Sequence, residues 1–129
     1  MNSKRKTKSV VVLGASTKEQ RYANKAIKAL RNDEYEVFGI GREKGATVVD
    51  VMIYDSFEEI PEVELIHTVT IYLSERNQKV YEEEILKLKP HRVIFNPGAE
   101  NRSFYALLID NGIEAINACT LVMLSLKDF

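Results

Sequence analysis

Residues 10–24 decide the fold: Val10-Val11-Val12-Leu13-Gly14-Ala15-Ser16-Thr17-Lys18-Glu19-Gln20-Arg21-Tyr22-Ala23-Asn24. Four consecutive apolar residues read as a strand buried on both faces, because a strand with one face in water alternates apolar with polar. The run stops at Gly14, where the missing Cβ lets the backbone turn sharply. A helical pattern then begins near Tyr22. A strand, turn and helix start of this kind leaves unpaired amides at the helix N-terminus, and the helix dipole adds about half a positive charge there. The expected guest is a phosphate-bearing ligand. Gly14-Ala15-Ser16 lacks the second and third glycines of the Gly-x-Gly-x-x-Gly dinucleotide fingerprint, so a plain strand-to-helix corner is the competing reading.

Working outward, Tyr22–Asn32 places Ala23, Ala26, Ile27 and Leu30 on one stripe of a helix. Further strands are expected at Glu36–Ile40, Val48–Ile53, Leu65–Leu73, Arg92–Phe95 and Ile113–Ile116. Ser56-Phe57-Glu58-Glu59 has a capping-box pattern. A helix from the Ser74 N-cap to Lys89 carries Val80, Tyr81, Ile85 and Leu88 on its inner face and stops at Pro90. Ser103–Asp110 is a helix closed by Asn111-Gly112, and Thr120–Leu126 a short terminal one. Strands alternating with helices demand parallel pairing, which predicts a Rossmann-like, doubly wound α/β domain with about five or six strands and helices on both faces. Ligands of such sheets bind outside the carboxyl ends of the strands, where strand order reverses.

The 129 residues suffice for one domain. Residues 1–8, a basic stretch, read as a frayed arm, and 9–129 as the single domain. A net charge of -1 supplies no field for nucleic acid, and no apolar segment is long enough to span a membrane. One cysteine, Cys119, excludes an intrachain disulfide and points to a reducing cytoplasm.

Five loops then lie at the binding edge: Gly14 to Arg21, Gly41 to Gly45, Tyr72 to Arg76, Asn96 to Asn101 and Asn117 to Thr120. In the first, backbone donors from Gly14 through Ala15 and Ser16 to Thr17 suit a pyrophosphate. In the second, Gly41-Arg42-Glu43-Lys44 offers Arg42 and Lys44 to a ribose phosphate, which favours NADP or coenzyme A over NAD. Tyr72-Leu73 offers an apolar wall for a purine, and Asn96-Pro97-Gly98 a tight turn beside the first loop. The alternative for each is structural: a solvated charged loop, the end of the core, or a turn with a helix cap at Asn101. His67 reads as a core histidine within its strand, His91 lies at the wrong edge, and Cys119 has no histidine to activate it.

Val11-Val12-Leu13-Gly14-Ala15-Ser16, Arg21-Tyr22 with Asn24-Lys25, Phe57-Glu58-Glu59-Ile60-Pro61, Asn96-Pro97-Gly98-Ala99-Glu100-Asn101, Asn111-Gly112-Ile113 and Ala118–Leu124 together resemble the small CoA-binding-domain proteins, similar to the CoA-binding domain of the succinyl-CoA synthetase alpha subunit. The resemblance runs from about residue 9 to 126. It implies that Gly14, Ser16, Arg21, Tyr22 and Asn24 hold the CoA phosphates and that Arg42 and Lys44 lie near the 3′-phosphoadenosine. Many relatives carry Val-Asn-Pro after the second strand, where this chain has Gly39-Ile40-Gly41-Arg42. The expectation is a protein that binds coenzyme A or an acyl-CoA, a small nucleotide ligand, without catalysis of its own, and whose size is compatible with a homodimer. The alternatives are an NADP-dependent or CoA-transferring enzyme, and a degenerate Rossmann module that binds a protein partner.

Overall fold

The structure, a computed structural model, describes residues 8–129. Residues 1–7 of the expected arm lie outside the described residues, and Lys8 donates from Nζ to the main-chain oxygen of Phe129 at 2.9 Å. Among the described residues seven strands form one sheet: β1 (Ser9–Leu13), β2 (Glu36–Ile40), β3 (Thr47–Val48), β4 (Val51–Tyr54), β5 (Thr68–Ile71), β6 (Arg92–Phe95) and β7 (Glu114–Asn117), in the order β3-β4-β2-β1-β5-β6-β7. All pairs are parallel except β3 with β4. The sheet thus exceeds the expected five or six strands because Val48–Ile53 is not one strand. Val49 turns the chain at φ 50°, and Val48 pairs back onto Val51 as a hairpin.

Among the described residues four α-helices cover the sheet: α1 (Tyr22–Asn32), α2 (Glu75–Leu88), α3 (Arg102–Asp110) and α4 (Thr120–Ser125). The alternation of β1 explains the two layers. Val10 and Val12 pack with Ala23, Ile27, Leu30 and Leu124 under α1 and α4, while Val11 and Leu13 pack with Ile85, Phe104 and Leu108 under α2 and α3. The sequence pattern on α2 needs one correction. Val80 is 76% exposed, whereas Gln78 is buried. The inward stripe runs Gln78, Tyr81, Ile85, Leu88, at helical spacing, and its polar member is satisfied inside the fold.

Other local expectations resolve likewise. Leu65–Leu73 contributes only Thr68–Ile71 as strand, with a 3-10 turn at Val63–Leu65 before it. Ser56 and Ser74 make no side-chain cap, but Asn101 caps α3 by accepting from the Phe104 amide at 3.1 Å. Gly112, at φ 78°, ends α3 with the paired bonds Ile113 N–H to Leu108 O and Gly112 N–H to Ile109 O. Among the described residues no helix is long and apolar enough to cross a membrane.

Candidate functional site at the carboxyl edge of the sheet

The chain runs from β1 outward through β2 to β4, then returns to the other side of β1 for β5. The reversal of strand order therefore lies between β1 and β5, and the β1–α1 and β5–α2 loops diverge there.

The β1–α1 loop is wedged between its neighbours. The amides of Gly14 and Ala15 both donate to the Ile40 carbonyl, at 2.8 and 2.9 Å. A Cβ on Gly41 would stand 2.2 Å from the Ala15 oxygen, and one on Gly39 2.8 Å from the Ala15 Cβ. The Gly39-Ile40-Gly41 sequence is thus what lets the first loop lie across the end of β2. On the other side, Gly14, at φ 101°, faces Leu73. The buried Asn24 secures the loop from below, donating from Nδ2 to the Ser16 carbonyl at 2.9 Å, while its Oδ1 has no hydrogen-bond partner among the described residues.

Of the four amides expected to face a pyrophosphate, two are thus committed to β2. Thr17 is engaged as well: its amide donates to Glu43 Oε1 at 2.9 Å and its hydroxyl to Glu43 Oε2 at 2.5 Å. The Thr17 hydroxyl and amide together hold the Glu43 carboxyl below the usual carboxylate range. Among the described residues the amides of Ser16, Tyr22 and Ala23 have no hydrogen-bond partner. Arg21 and Tyr22 are exposed at the start of α1, Lys25 Nζ lying 5.3 Å from the Tyr22 ring centre.

The two cations of the second loop differ. Arg42 is exposed and forms no hydrogen bond or ion pair among the described residues. Lys44 is bound to Glu59 at 2.7 Å and lies 3.6 Å from Asp55, contacts that raise its pKa. Of these two cations, Lys44 is tied to Glu59 and Asp55, and Arg42 has no partner among the described residues.

On the β5–β6 side, Asn96 is 1% exposed and fully engaged. Its Nδ2 donates to Thr70 Oγ1 at 2.7 Å and to the Ile71 carbonyl at 2.9 Å, and its Oδ1 accepts from the Thr120 amide at 2.8 Å. The side chain therefore ties β5, β6 and α4 together. Pro97 and Gly98, the latter at φ 93°, make the central pair of a turn closed by Ala99 N–H to Asn96 O at 2.8 Å. The Gly98 amide is taken by Glu100 Oε1 at 3.0 Å. Tyr72 and Leu73 are half-buried at the end of β5. The Tyr72 hydroxyl is buried without a hydrogen-bond partner of good geometry, and burial pushes its pKa up to about 12, offset in part by the nearby Thr120 hydroxyl.

Sequence reasoning missed the bracket behind these loops. Gln78 Nε2 donates to the carbonyls of Leu73 and Ala99, and Asn101 Nδ2 donates to Gln78 Oε1 at 2.8 Å and Glu82 Oε2 at 3.1 Å. An amide side chain at an apolar-stripe position of α2 is the signal that would have found it. A cavity of about 260 Å³ opens beside it, lined by Arg76, Lys79 and Glu82 among others.

The histidines stand at the opposite, amino edge. His67 precedes β5 rather than sitting within it, its Nδ1 is 2.8 Å from Thr68 Oγ1, and its ring meets His91 edge-on at 4.7 Å. Cys119, half-buried, precedes α4 at the carboxyl edge. The described residues include no cluster of metal-ligating side chains.

The CoA binding domain family matches residues 8–125 of this chain. The chain belongs to that family. Among solved structures, an uncharacterised protein is 41% identical, with a TM-score of 0.87 over 95% of this chain and 98% of its own. A protein of Thermus thermophilus is 20% identical and superposes with a TM-score of 0.84 over 100% of both chains. The dinucleotide-forming acetyl-coenzyme A synthetase 1 of Ca. Korarchaeum cryptofilum, solved with phosphate and ADP, is 12% identical, with a TM-score of 0.71 over 91% of this chain and 27% of its own. At those identities the last two share the fold. No curated protein matches.

Proposed function

We propose that the protein binds coenzyme A or an acyl-CoA at the carboxyl edge of its sheet, across the β1/β5 switch point, and catalyses no reaction of its own. Family membership supports the ligand class. The observation that carries the location is the group of open amides at Ser16, Tyr22 and Ala23 beside an unpaired Arg42. The amides and the α1 dipole suit the pyrophosphate, as unpaired N–H groups at a helix start favour negative charge. Arg42 then takes the ribose 3′-phosphate through its planar fork of donors. Tyr72 and Leu73 give the adenine or pantetheine an apolar wall, and Gly14, Ala15, Gly41 and Asn24 hold the first loop in place.

A ligand that binds the folded chain alone raises its unfolding temperature, by about 2.7 kcal/mol of stabilisation at a hundredfold excess over Kd. Thermal unfolding with and without CoA tests the reading. A clear rise with CoA, and a smaller one for Arg42→Ala, is expected. The same midpoint with and without CoA would sink the proposal.

A further inference from the structure

We propose that Glu43 is a built-in anion that occupies the phosphate seat of the β1–α1 loop and is displaced when a phosphate-bearing ligand arrives. Two donors of one residue, the Thr17 amide and hydroxyl, grip both oxygens of the Glu43 carboxylate, at 2.9 and 2.5 Å. These are the donors a phosphate at this loop would use, since an oxyanion with two acceptors fits an N–H and O–H pair equally well. Further amides of this loop and of the first turn of α1, at Ser16, Tyr22 and Ala23, have no hydrogen-bond partner among the described residues. Lys18 adds its charge to the seat, which also favours the Glu43 carboxylate.

The contact is built to release. Glu43 reaches the first loop from a segment fixed elsewhere: its carbonyl accepts from the Ala46 amide at 3.0 Å, and its neighbour Lys44 is held by Glu59. A side-chain rotation therefore frees Thr17 without moving the backbone of either loop. The residue on the other side of Glu43 is the unpaired Arg42. Withdrawal of the carboxylate removes a negative charge from beside the incoming phosphates. The ligand accordingly binds only the fraction of molecules whose seat is vacated, and its apparent Kd exceeds the intrinsic one by that factor.

This inference rests on the coenzyme A reading for the identity of the ligand, and its test separates the two. CoA and inorganic pyrophosphate are titrated by calorimetry into the full chain, Glu43→Gln and Glu43→Ala, with circular dichroism confirming the folding of each. Removing the internal competitor is expected to tighten binding about tenfold in Glu43→Ala and less in Glu43→Gln, which keeps a neutral hydrogen bond. Unchanged or weaker binding of both ligands by the variants would overturn the inference and leave the coenzyme A reading intact. Tighter pyrophosphate binding by the variants with no CoA binding to any protein would support the displaced anion and sink the coenzyme A reading. No binding of either ligand to any of the three would overturn both.

Discussion

Arg42 and Lys44 stand two positions apart, carry the same charge and do different work. Lys44 is neutralised by Glu59 and Asp55, and Arg42 has no partner among the described residues. A charge-assisted hydrogen bond to a phosphate contributes about 1.5–3 kcal/mol, so Arg42→Ala is expected to weaken CoA binding about tenfold or more. Lys44→Ala should change it about threefold at most, because the exposed ion pair it removes contributes little. Equal losses from the two substitutions, measured by calorimetry, would contradict the division. Gly41 is a second residue with a single physical task. Its added Cβ meets backbone at 2.2 Å rather than a side chain that can swing away, so Gly41→Ala must displace the first loop or the end of β2. A loss of about 2–4 kcal/mol in urea unfolding is expected, and a cost under about 0.5 kcal/mol would show that the two loops do not pack as described.

At the scale of elements, α1 owes its position to both ends. Its C-terminus closes with Tyr35 N–H to Leu30 O and Glu34 N–H to Arg31 O, the paired bonds of a left-handed cap. Glu34 occupies the left-handed position at φ 68°, where glycine carries no Cβ penalty. Glu34→Gly is therefore expected to stabilise the protein by about 0.5–1 kcal/mol in chemical denaturation. A decrease would mean that the exposed side chain contributes more than its backbone strain costs. The bidentate pair of Arg31 with Asp50, 2.9 Å at both contacts, then joins the last turn of α1 to the β3–β4 hairpin. That hairpin was not legible in the sequence, because its turn residue is Val49, a β-branched residue of the kind strands favour rather than a glycine or asparagine. Where apolar runs ended in strong punctuation, as at Leu13-Gly14 or Leu88 before Pro90, the elements were legible almost to the residue. Gln78 and Asn96 were not, since an amide looks the same in sequence whether it faces water, a ligand or a buried carbonyl. The candidate site was legible as a set of loops, but not which amides remain open. That depends on pairings such as Ile40 with Gly14 and Ala15, made between strands that are distant in sequence.

Over the whole molecule the two edges of the sheet differ in character. The carboxyl edge gathers open amides and Arg42, and the amino edge gathers His67, His91, Arg92 and Lys8. Burial, then repulsion from His91, Arg92 and Lys8, lowers the His67 pKa to about 4. The unfolded chain takes up a proton at His67 near pH 6.5 and the folded one does not, so stability is full above about pH 6.5 and declines as pH falls toward 4. His67→Gln should flatten this part of the stability curve, read from urea midpoints between pH 7 and pH 5, above the range where the depressed carboxylates Glu43, Asp50 and Glu59 lose their contributions. An unchanged slope would place the pH dependence elsewhere.

On the proposed reading, a doubly wound domain of the CoA-binding family seats the phosphates of coenzyme A at the Ser16, Tyr22 and Ala23 amides and at Arg42. Calorimetric titration with CoA beside dephospho-CoA and NADP tests this most directly. A Kd of about 1 μM for CoA, about 8 kcal/mol, is expected, weakened about tenfold or more when the 3′-phosphate is missing. Absence of heat with all three ligands would contradict it and make the first loop a structural corner; equal affinity for CoA and dephospho-CoA would remove Arg42 from the site.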